Sequence, residues 1–219
     1  MPAHDASTQI VNLYERHARA FDRERGKNLF ERNWLDRFRA VAGAGTSILD
    51  IGCGSGEPIA RYLISGGHDV TGIDSSETMI ALCRERFPAQ SWIVADMRSL
   101  DLGRRFHGIL AWDSFFHLTQ DEQRAIFAVF AMHIANGGAL MFTSGPRAGE
   151  AIGSYQGEPL YHASLDPEEY RHLLAAHGFD IVDHAAEDAT CGDHTVWLAR
   201  KARDATPSSA ESDDCCQPD

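Results

Sequence analysis

The chain has 219 residues, of which 43% are hydrophobic, and a formal net charge of −12. This length suits one α/β domain with a small elaboration, and no apolar run is long enough for a transmembrane helix. The acidic balance argues against a broad nucleic-acid or membrane-binding face. Five cysteines without a paired framework, and an N-terminus without a signal pattern, predict a cytoplasmic protein.

The N-terminal 42 residues show helical spacing of apolar side chains. The pattern predicts two amphipathic helices, broken near Gly26. We expect most of these side chains to dock the helices on the core, and Tyr14 fits either a core or a ligand-facing position. The positions that keep the spacing are Ile10, Leu13, Tyr14, Ala18 and Phe21, then Phe30, Trp34, Phe38 and Val41.

Strand and helix patterns then alternate, which predicts a doubly wound sheet of parallel strands. We expect Asn136-Gly137-Gly138 to end the last of these helices. The predicted strands are 47–51, 69–74, 91–95, 107–112 and 138–144, and the predicted helices are 57–65, 76–86 and 120–134.

The last third of the chain follows a different pattern. Residues 144–165 contain several glycines without clear periodicity, which predicts a long loop of the kind that binds ligands. A helix over 167–177 precedes two strands, 179–184 and 194–199, which we expect to form an antiparallel hairpin. The acidic segment 202–219 predicts a disordered tail.

The glycine-rich stretch after the first strand carries the most information about function. Asp50 ends a β-branched run, glycines follow at 52, 54 and 56, and a helix begins near Pro58. Such a turn offers bare backbone N–H groups to a nucleotide-like ligand. A dinucleotide fingerprint would place its third glycine where Glu57 stands, and a carboxylate there would repel a pyrophosphate.

The stretch resembles motif I of the class I S-adenosylmethionine-dependent methyltransferases, in which an acid precedes Gly-x-Gly-x-Gly. The resemblance covers about residues 40–200. It implies a Rossmann-like, seven-stranded α/β sheet, mostly parallel with a C-terminal antiparallel hairpin. It also implies N-terminal helices (1–42) that cover the cofactor, and a methyltransferase domain over 43–201.

Residues at the ends of the predicted strands supply the rest of the cofactor site. The resemblance gives Asp74 the ribose hydroxyls and gives Asp96 the adenine amine, while Met97 lies against the ring. Asp74 and Met97 also fit a helix cap and core filling, respectively. The cofactor contacts expected from the resemblance are Tyr14, Asp50, Gly52, Cys53, Gly54, Gly56, Asp74, Ser75, Met79, Asp96, Met97 and Trp112.

The residues after the fourth strand are candidates for the chemistry. The resemblance places Trp112, Asp113 and His117 beside the transferable methyl group. His117 has the chemistry of a general base, although a histidine bonded to backbone at the start of a helix fits equally well. The candidate acceptor-binding residues are Trp112, Arg147, Tyr155, Tyr161 and His162.

The expected activity is methyl transfer from S-adenosylmethionine to an O or N nucleophile of a small molecule. We expect no metal, nucleic-acid or membrane partner, and either a monomer or a homodimer. Two alternatives are a nicotinamide oxidoreductase and a non-catalytic S-adenosylmethionine-binding protein. A third, a thiolate-using metalloid methyltransferase, depends on Cys191, Cys215 and Cys216, whose spacing is poor for that purpose.

Overall fold

The structure, a computed structural model, describes residues 3–203, so the predicted acidic tail lies almost entirely outside the described residues. The α-helices of the described part are α1 (Ala3–Thr8), α2 (Ile10–Glu24), α3 (Arg32–Ala42), α4 (Ile59–Ser65), α5 (Glu77–Arg86), α6 (Gln120–His133) and α7 (Pro167–Ala176). The strands are β1 (Ser47–Ile51), β2 (Asp69–Asp74), β3 (Ser91–Val94), β4 (Phe106–Ala111), β5 (Ile134–Ser144), β6 (Gly149–Tyr155), β7 (Glu158–Ser164), β8 (Phe179–Asp188) and β9 (His194–Lys201).

Seven strands form the main sheet in the order β3-β2-β1-β4-β5-β9-β8. Strands β1 to β5 run parallel, whereas β9 is antiparallel to both β5 and β8. The prediction of a mostly parallel, doubly wound sheet closed by an antiparallel hairpin is confirmed. The carboxyl ends of β1, β2, β3 and β4 therefore meet at one edge, where ligands of such sheets bind.

Two apolar clusters cover the two faces of this sheet. Alternate residues of β1 enter different clusters, with Ile48 in one and Leu49 in the other. Helices α6 and α7 pack phenylalanine, tyrosine and leucine side chains on one face, including the fully buried Phe127. Helices α3, α4 and α5 cover the other face, where Phe38 is fully buried. Each such burial stabilises the fold by about 2 kcal/mol.

The N-terminal segment forms three helices instead of the predicted two. Residues 3–8 make a separate helix, and α2 ends at Glu24, close to the predicted break at Gly26. Helix α1 packs against a two-stranded sheet through Ala6, and α2 runs from there towards α5. Helix α3 packs on the main sheet beside β4 and β5.

The prediction of a long loop over 144–165 is wrong, because this segment contains the antiparallel pair β6–β7. Gln156 and Gly157 connect the strands with φ values of 51° and 80°, the conformation of a tight hairpin turn. Strand β6 is mostly exposed, and the buried apolar residues of β7 are Tyr161 and Ala163. Apolar alternation is therefore too weak to show in the sequence.

The predicted helix end at Asn136-Gly137-Gly138 is also wrong, because α6 stops at His133 and these residues belong to β5. A register shift between Phe106 and Gly108 of β4 accommodates them as an irregularity in the pairing. Gly137 has φ 77°, and a Cβ atom on Gly138 would lie 2.9 Å from the His107 carbonyl oxygen. The glycines therefore serve a bulge within the strand.

Candidate active site

The glycine-rich turn leaves β1 and wraps around the end of β2. The N–H groups of Gly52 and Cys53 both donate to the Ile73 carbonyl, at 2.8 and 2.9 Å. A Cβ atom on Gly52 would lie 2.3 Å from the Ser114 Cβ, and φ is positive at Gly52, Gly54 and Gly56. Both the close approach and the backbone conformation therefore require glycine here.

Asp74, at the end of β2, holds this turn in place. Its Oδ2 accepts the Gly54 N–H at 3.0 Å and its Oδ1 accepts the Ser76 N–H at 2.9 Å. Ser76 caps α5, so the carboxylate ties the glycine turn to the start of that helix. Burial raises the pKa of Asp74. The cap interpretation and a ligand-facing position are thus both compatible with its geometry.

Asp50 lies beneath the turn with 4% of its surface exposed. Burial, together with the charge of Asp74, raises the pKa of Asp50 to about 7. Two carboxyl groups so close together repel one another when both are ionised. A ligand that brings positive charge to this place would relieve the repulsion.

Asp96, at the end of β3, makes a two-pronged ion pair with Arg98. The Nε of Arg98 lies 2.9 Å from Oδ1 of Asp96, and Arg98 also bonds Glu122 at 2.9 Å. These contacts lower the pKa of Asp96. Met97 lies beside them and packs partly against the apolar core. The carboxylate of Asp96 is therefore ionised and held at the rim of the site.

The chain turns sharply after β4, where Asp113 adopts φ 49°. Its N–H donates to the Thr143 hydroxyl at 2.9 Å, and its Oδ1 lies 2.9 Å from Nε2 of His194. A residue other than glycine with such a backbone conformation is strained, and such strain concentrates at functional sites. Ser114 follows and donates to the Ile51 carbonyl at 2.7 Å, which fixes the turn to β1.

Tyr14 and His117 form a hydrogen-bonded pair across the site. The Tyr14 hydroxyl lies 2.9 Å from Nε2 of His117, and Nδ1 of His117 lies 2.8 Å from the Tyr161 carbonyl oxygen. Because a carbonyl only accepts, Nδ1 carries the proton, and Nε2 accepts from Tyr14. Burial lowers the pKa of His117 to about 4 and raises that of Tyr14. Both groups are neutral at pH 7.

One cavity collects these residues, with about 1220 Å³ of empty space including its mouth. Every residue predicted to contact the cofactor or perform the chemistry lines it. These are Tyr14, Asp50, Gly52, Cys53, Gly54, Gly56, Asp74, Ser75, Met79, Asp96, Met97, Trp112, Asp113 and His117. Glu57 also lines the cavity and bonds Arg61 at 2.6 Å, so a carboxylate does border the turn.

The other predicted acceptor-binding residues do not line this cavity. Tyr155 stacks on Tyr14 from outside, with ring centroids 6.3 Å apart, and His162 lies against His117 at 4.9 Å. Tyr161 is buried and donates to Glu150 at 2.7 Å, and Arg147 is exposed after β5. The first three form a shell behind Tyr14 and His117, because the hairpin β6–β7 lies behind the cavity wall.

Residues 48–138 match the family model described as a methyltransferase domain. This range begins in β1 and contains the glycine turn and the ends of the first four strands. These residues of the chain carry a methyltransferase domain. The match supports the predicted family, the class I S-adenosylmethionine-dependent methyltransferases, and the glycine turn with its neighbouring strand ends is the part of this domain that the cavity uses.

Two curated relatives come from Streptomyces. An N,N-dimethyltransferase of dTDP-3-amino-3,4,6-trideoxy-α-D-glucopyranose from Streptomyces venezuelae is 32% identical over 48% of this chain and 45% of its own. A similar dimethyltransferase of the 3,6-dideoxy sugar from Streptomyces fradiae is 30% identical over 64% of this chain and 54% of its own. The chain thus spans about half the length of the curated relatives it matches.

Solved structures share the fold over most of the chain. The 1,6-didemethyltoxoflavin-N1-methyltransferase of Burkholderia thailandensis, bound to S-adenosylhomocysteine, has a TM-score of 0.72 at 21% identity. The alignment covers 92% of this chain and 91% of that one. A sugar N-methyltransferase from Streptoalloteichus sp. ATCC 53650 has a TM-score of 0.67 at 21% identity, over 84% and 92% of the two chains.

Helix α2 is fastened over the methyltransferase domain by contacts that were not predicted from the sequence. Asp22 bonds Arg86 of α5 at 2.7 Å and the Ser55 hydroxyl at 2.6 Å. Glu15 accepts from the Thr78 hydroxyl at 2.6 Å and from its N–H at 3.1 Å. Glu15 and Asp22 are seven residues apart and share a helix face, which is the only sequence signal for this role. Phe21, predicted as core, lines the cavity.

Within residues 3–203, no three His, Cys, Asp or Glu side chains cluster in a way that could hold a metal ion. Cys191 is buried, and Cys215 and Cys216 lie outside the described residues. In the same part of the chain, no helix has both the length and the apolar character needed to cross a bilayer.

Proposed function

We propose that this protein transfers a methyl group from S-adenosylmethionine to an amine nitrogen of a small molecule. The observation that carries the proposal is that one cavity joins the glycine turn and its acidic strand ends to the Tyr14–His117 pair and Asp113. The cofactor supplies an activated methyl group on a sulfonium ion, and the protein's own residues bind, align and exclude water.

The chemistry of the cavity fits this cofactor. Asp74 retains lone pairs that can accept the ribose hydroxyls, and Asp96 can accept the adenine amine. The buried Asp50 has a pKa raised to about 7, so a cationic ligand suits its surroundings better than a phosphate does. The Trp112 ring also lines the cavity and can attract a sulfonium through its π face.

The protonation states favour nitrogen over oxygen as the methylated atom. An alcohol needs a base, but His117 has a pKa of about 4 and spends both nitrogens on Tyr161 and Tyr14. An amine with a neutral fraction already carries its lone pair and needs only to be held in line. The Tyr14 oxygen donates to His117 and keeps lone pairs for an amine N–H. Relatives named as N-methyltransferases support the same choice.

The charges around the cavity favour an acceptor without phosphate groups. Among the described residues that line it, the lysine and arginine side chains are Arg25 and Arg98. Arg25 is paired with the buried Glu31, and Arg98 with Asp96 and Glu122. The residues outside the described range include no lysine or arginine. We therefore extend the amine, but not the nucleotide diphosphate, from the named substrates of the relatives to this chain.

Trideuteromethyl-labelled cofactor and mass spectrometry test the proposal. The protein is incubated with matched panels of amines, phenols and carboxylic acids, and with a nucleotide-linked amino sugar. We expect a labelled product from one or more amines without phosphate and none from the phenols. Labelling of phenols alone, or of no compound in the panels, would contradict the proposal.

A further inference from the structure

His194, at the first position of β9, faces the Asp113 carboxylate across the sheet edge. Nε2 of His194 lies 2.9 Å from Oδ1 of Asp113. Nδ1 lies 2.8 Å from the Cys191 carbonyl oxygen and 3.1 Å from that of Gly192. Both ring nitrogens therefore face atoms that can only accept hydrogen bonds.

This arrangement requires a proton on each nitrogen of the ring, which makes His194 an imidazolium. The charged group facing it is Asp113, and its other neighbours are the two carbonyls and two aromatic rings. The hydrogen bond that His194 donates to Asp113 raises the pKa of His194, against the opposing effect of burial. The pair resembles a charge-assisted hydrogen bond more than an exposed ion pair, because 22% of the histidine side chain is exposed.

Two aromatic side chains fix the plane of the ring. Trp112 stacks on it with ring centroids 5.4 Å apart and planes 25° apart, and Phe30 lies against it with centroids 5.4 Å apart and planes 37° apart. These two aromatic rings also favour the charged form through cation–π attraction. His194 is thus held in one orientation by the loop before α3, by the end of β4 and by the connection between β8 and β9.

Asp113 has one oxygen left for a ligand. Within residues 3–203 its side chain bonds through Oδ1 to His194, and the residue lines the cavity next to Tyr14 and His117. Its backbone, at φ 49°, is fixed by the Thr143 hydroxyl. The Asp113 side chain is therefore fixed at Oδ1 and at its backbone before an acceptor binds.

We propose that His194 is a positioning residue that aims the Asp113 carboxylate at the acceptor, and that Oδ2 of Asp113 binds the acceptor's amine. The inference rests on the proposed amine methylation. It makes the acceptor a group that donates hydrogen bonds, and it assigns the selection of that group to a pair of residues 81 positions apart. The bonds that hold the glycine turn, made to Ile73 and Asp74, do not involve this pair.

Nuclear magnetic resonance tests the pair without any acceptor. In protein labelled with ¹⁵N-histidine, the signals of His194 are identified by their loss in His194→Gln. At pH 6.5 we expect both ring nitrogens of His194 to be protonated in the wild type, and the ring to be mostly neutral in Asp113→Asn. A neutral, single-tautomer His194 in the wild type at pH 6.5 would overturn the proposal.

Kinetics then test the positioning role with the amine that is methylated fastest in the panel. His194→Phe keeps the stacked ring but loses both donors, and we expect its KM for the amine to rise at least about tenfold. His194→Gln keeps an N–H near Asp113 and should recover more than half of that loss. The affinity for S-adenosylhomocysteine should change less than about threefold in both variants.

His184→Gln is the matched control. His184 lies in the same hairpin and also stacks on a tryptophan, Trp197, with ring centroids 3.6 Å apart, but it does not line the cavity. An unchanged KM in His194→Phe, or an equal loss of cofactor affinity, would overturn the positioning role. If no amine is methylated, the proposed function fails, while the resonance experiment still decides whether His194 and Asp113 are paired.

Discussion

The cavity has two sides that are built in different ways. The side that we propose binds the cofactor, called the cofactor side, consists of the glycine turn and the ends of β1, β2 and β3. Its bonds join residues close to one another in sequence or on adjacent parallel strands. The side that we propose binds the acceptor, called the acceptor side, joins α2, the turn after β4, the β6–β7 hairpin and β9, and its bonds span 30 to 103 residues. The geometry of the first side follows from the parallel sheet itself. The geometry of the second depends on how α2 and the β6–β7 hairpin pack against the sheet.

This difference determines how each side of the cavity responds to changes elsewhere in the chain. The strand ends of a doubly wound sheet converge whatever is attached to them, so a cofactor site there is insensitive to insertions. The acceptor side changes whenever a hairpin or an N-terminal helix changes. Substitutions on the two sides should therefore have separable effects on cofactor binding, on stability and on the acceptor.

The largest effect should come from Asp74→Ala on the cofactor side. The substitution removes a charged acceptor from the Gly54 and Ser76 N–H groups and from the ribose, so binding of S-adenosylhomocysteine should weaken by about 3 kcal/mol. Isothermal titration calorimetry measures the loss. Asp69→Ala, at the exposed start of the same strand, is the control and should bind as the wild type does. Equal affinity in Asp74→Ala would remove Asp74 from the cofactor site.

On the acceptor side, we expect protonation of His117 to change the free energy of unfolding by a similar amount at acid pH. The folded pKa of His117, about 4, lies below its unfolded value near 6.5, so the unfolded chain binds the proton more tightly. The contribution of this group to the free energy of unfolding is fully present above pH 6.5 and falls by about 3 kcal/mol as the pH drops to 4. Urea unfolding of His117→Gln should show a smaller acid loss than the wild type. The exposed His172→Gln should show the wild-type loss, and identical curves for all three proteins would refute the prediction.

The third effect is a proton released from Asp50 on cofactor binding. Its pKa, raised to about 7 by burial, should fall when a positive ligand arrives, so affinity should rise with pH up to about 7 and then level off. The slope is at most about 1.4 kcal/mol per pH unit. Titrations at pH 6.5 in phosphate and Tris buffers should give different heats, and Asp50→Asn should abolish the difference. Equal heats in the wild type would show that Asp50 does not ionise.

The smallest effect concerns the docking of α2, an element of the acceptor side, on α5. Asp22→Asn weakens a two-pronged pair with Arg86, at 2.6 and 2.7 Å, and should destabilise the docked helix by about 1 kcal/mol. Hydrogen exchange of α2 amides should then be about fivefold faster. Arg16→Gln, a substitution on the same helix, breaks an exposed pair with Glu158 of β7 and should change exchange far less. If both variants exchange alike, the Asp22 contact is not what fastens the helix.

The two sides also differ in how far sequence predicts them. Asp50, Asp74 and Asp96 can be predicted because each lies within two residues of the end of a strand, and the parallel topology then brings such residues together. The Gln156-Gly157 turn was present in the sequence as a hairpin signal, but the strands beside it are too exposed to alternate.

His194 shows why the acceptor side resists prediction. In the sequence it is only the first residue of a strand, and its partner Asp113 is 81 residues earlier. The pairing arises because β9 inserts beside β5 and brings its first residue to the end of β4. Arg86 and Asp22, 64 residues apart, meet for a similar reason. No local pattern specifies either contact, since both depend on how separate elements pack.

A crystal structure with S-adenosylhomocysteine bound tests the division of the cavity most directly. We expect ribose hydroxyls within hydrogen-bond distance of Asp74, the adenine amine near Asp96, and the sulfur facing an open space bordered by Tyr14, Asp113 and His117. A sulfur that faces away from these three residues, or a nucleoside bound at the Tyr14 end of the cavity, would contradict it.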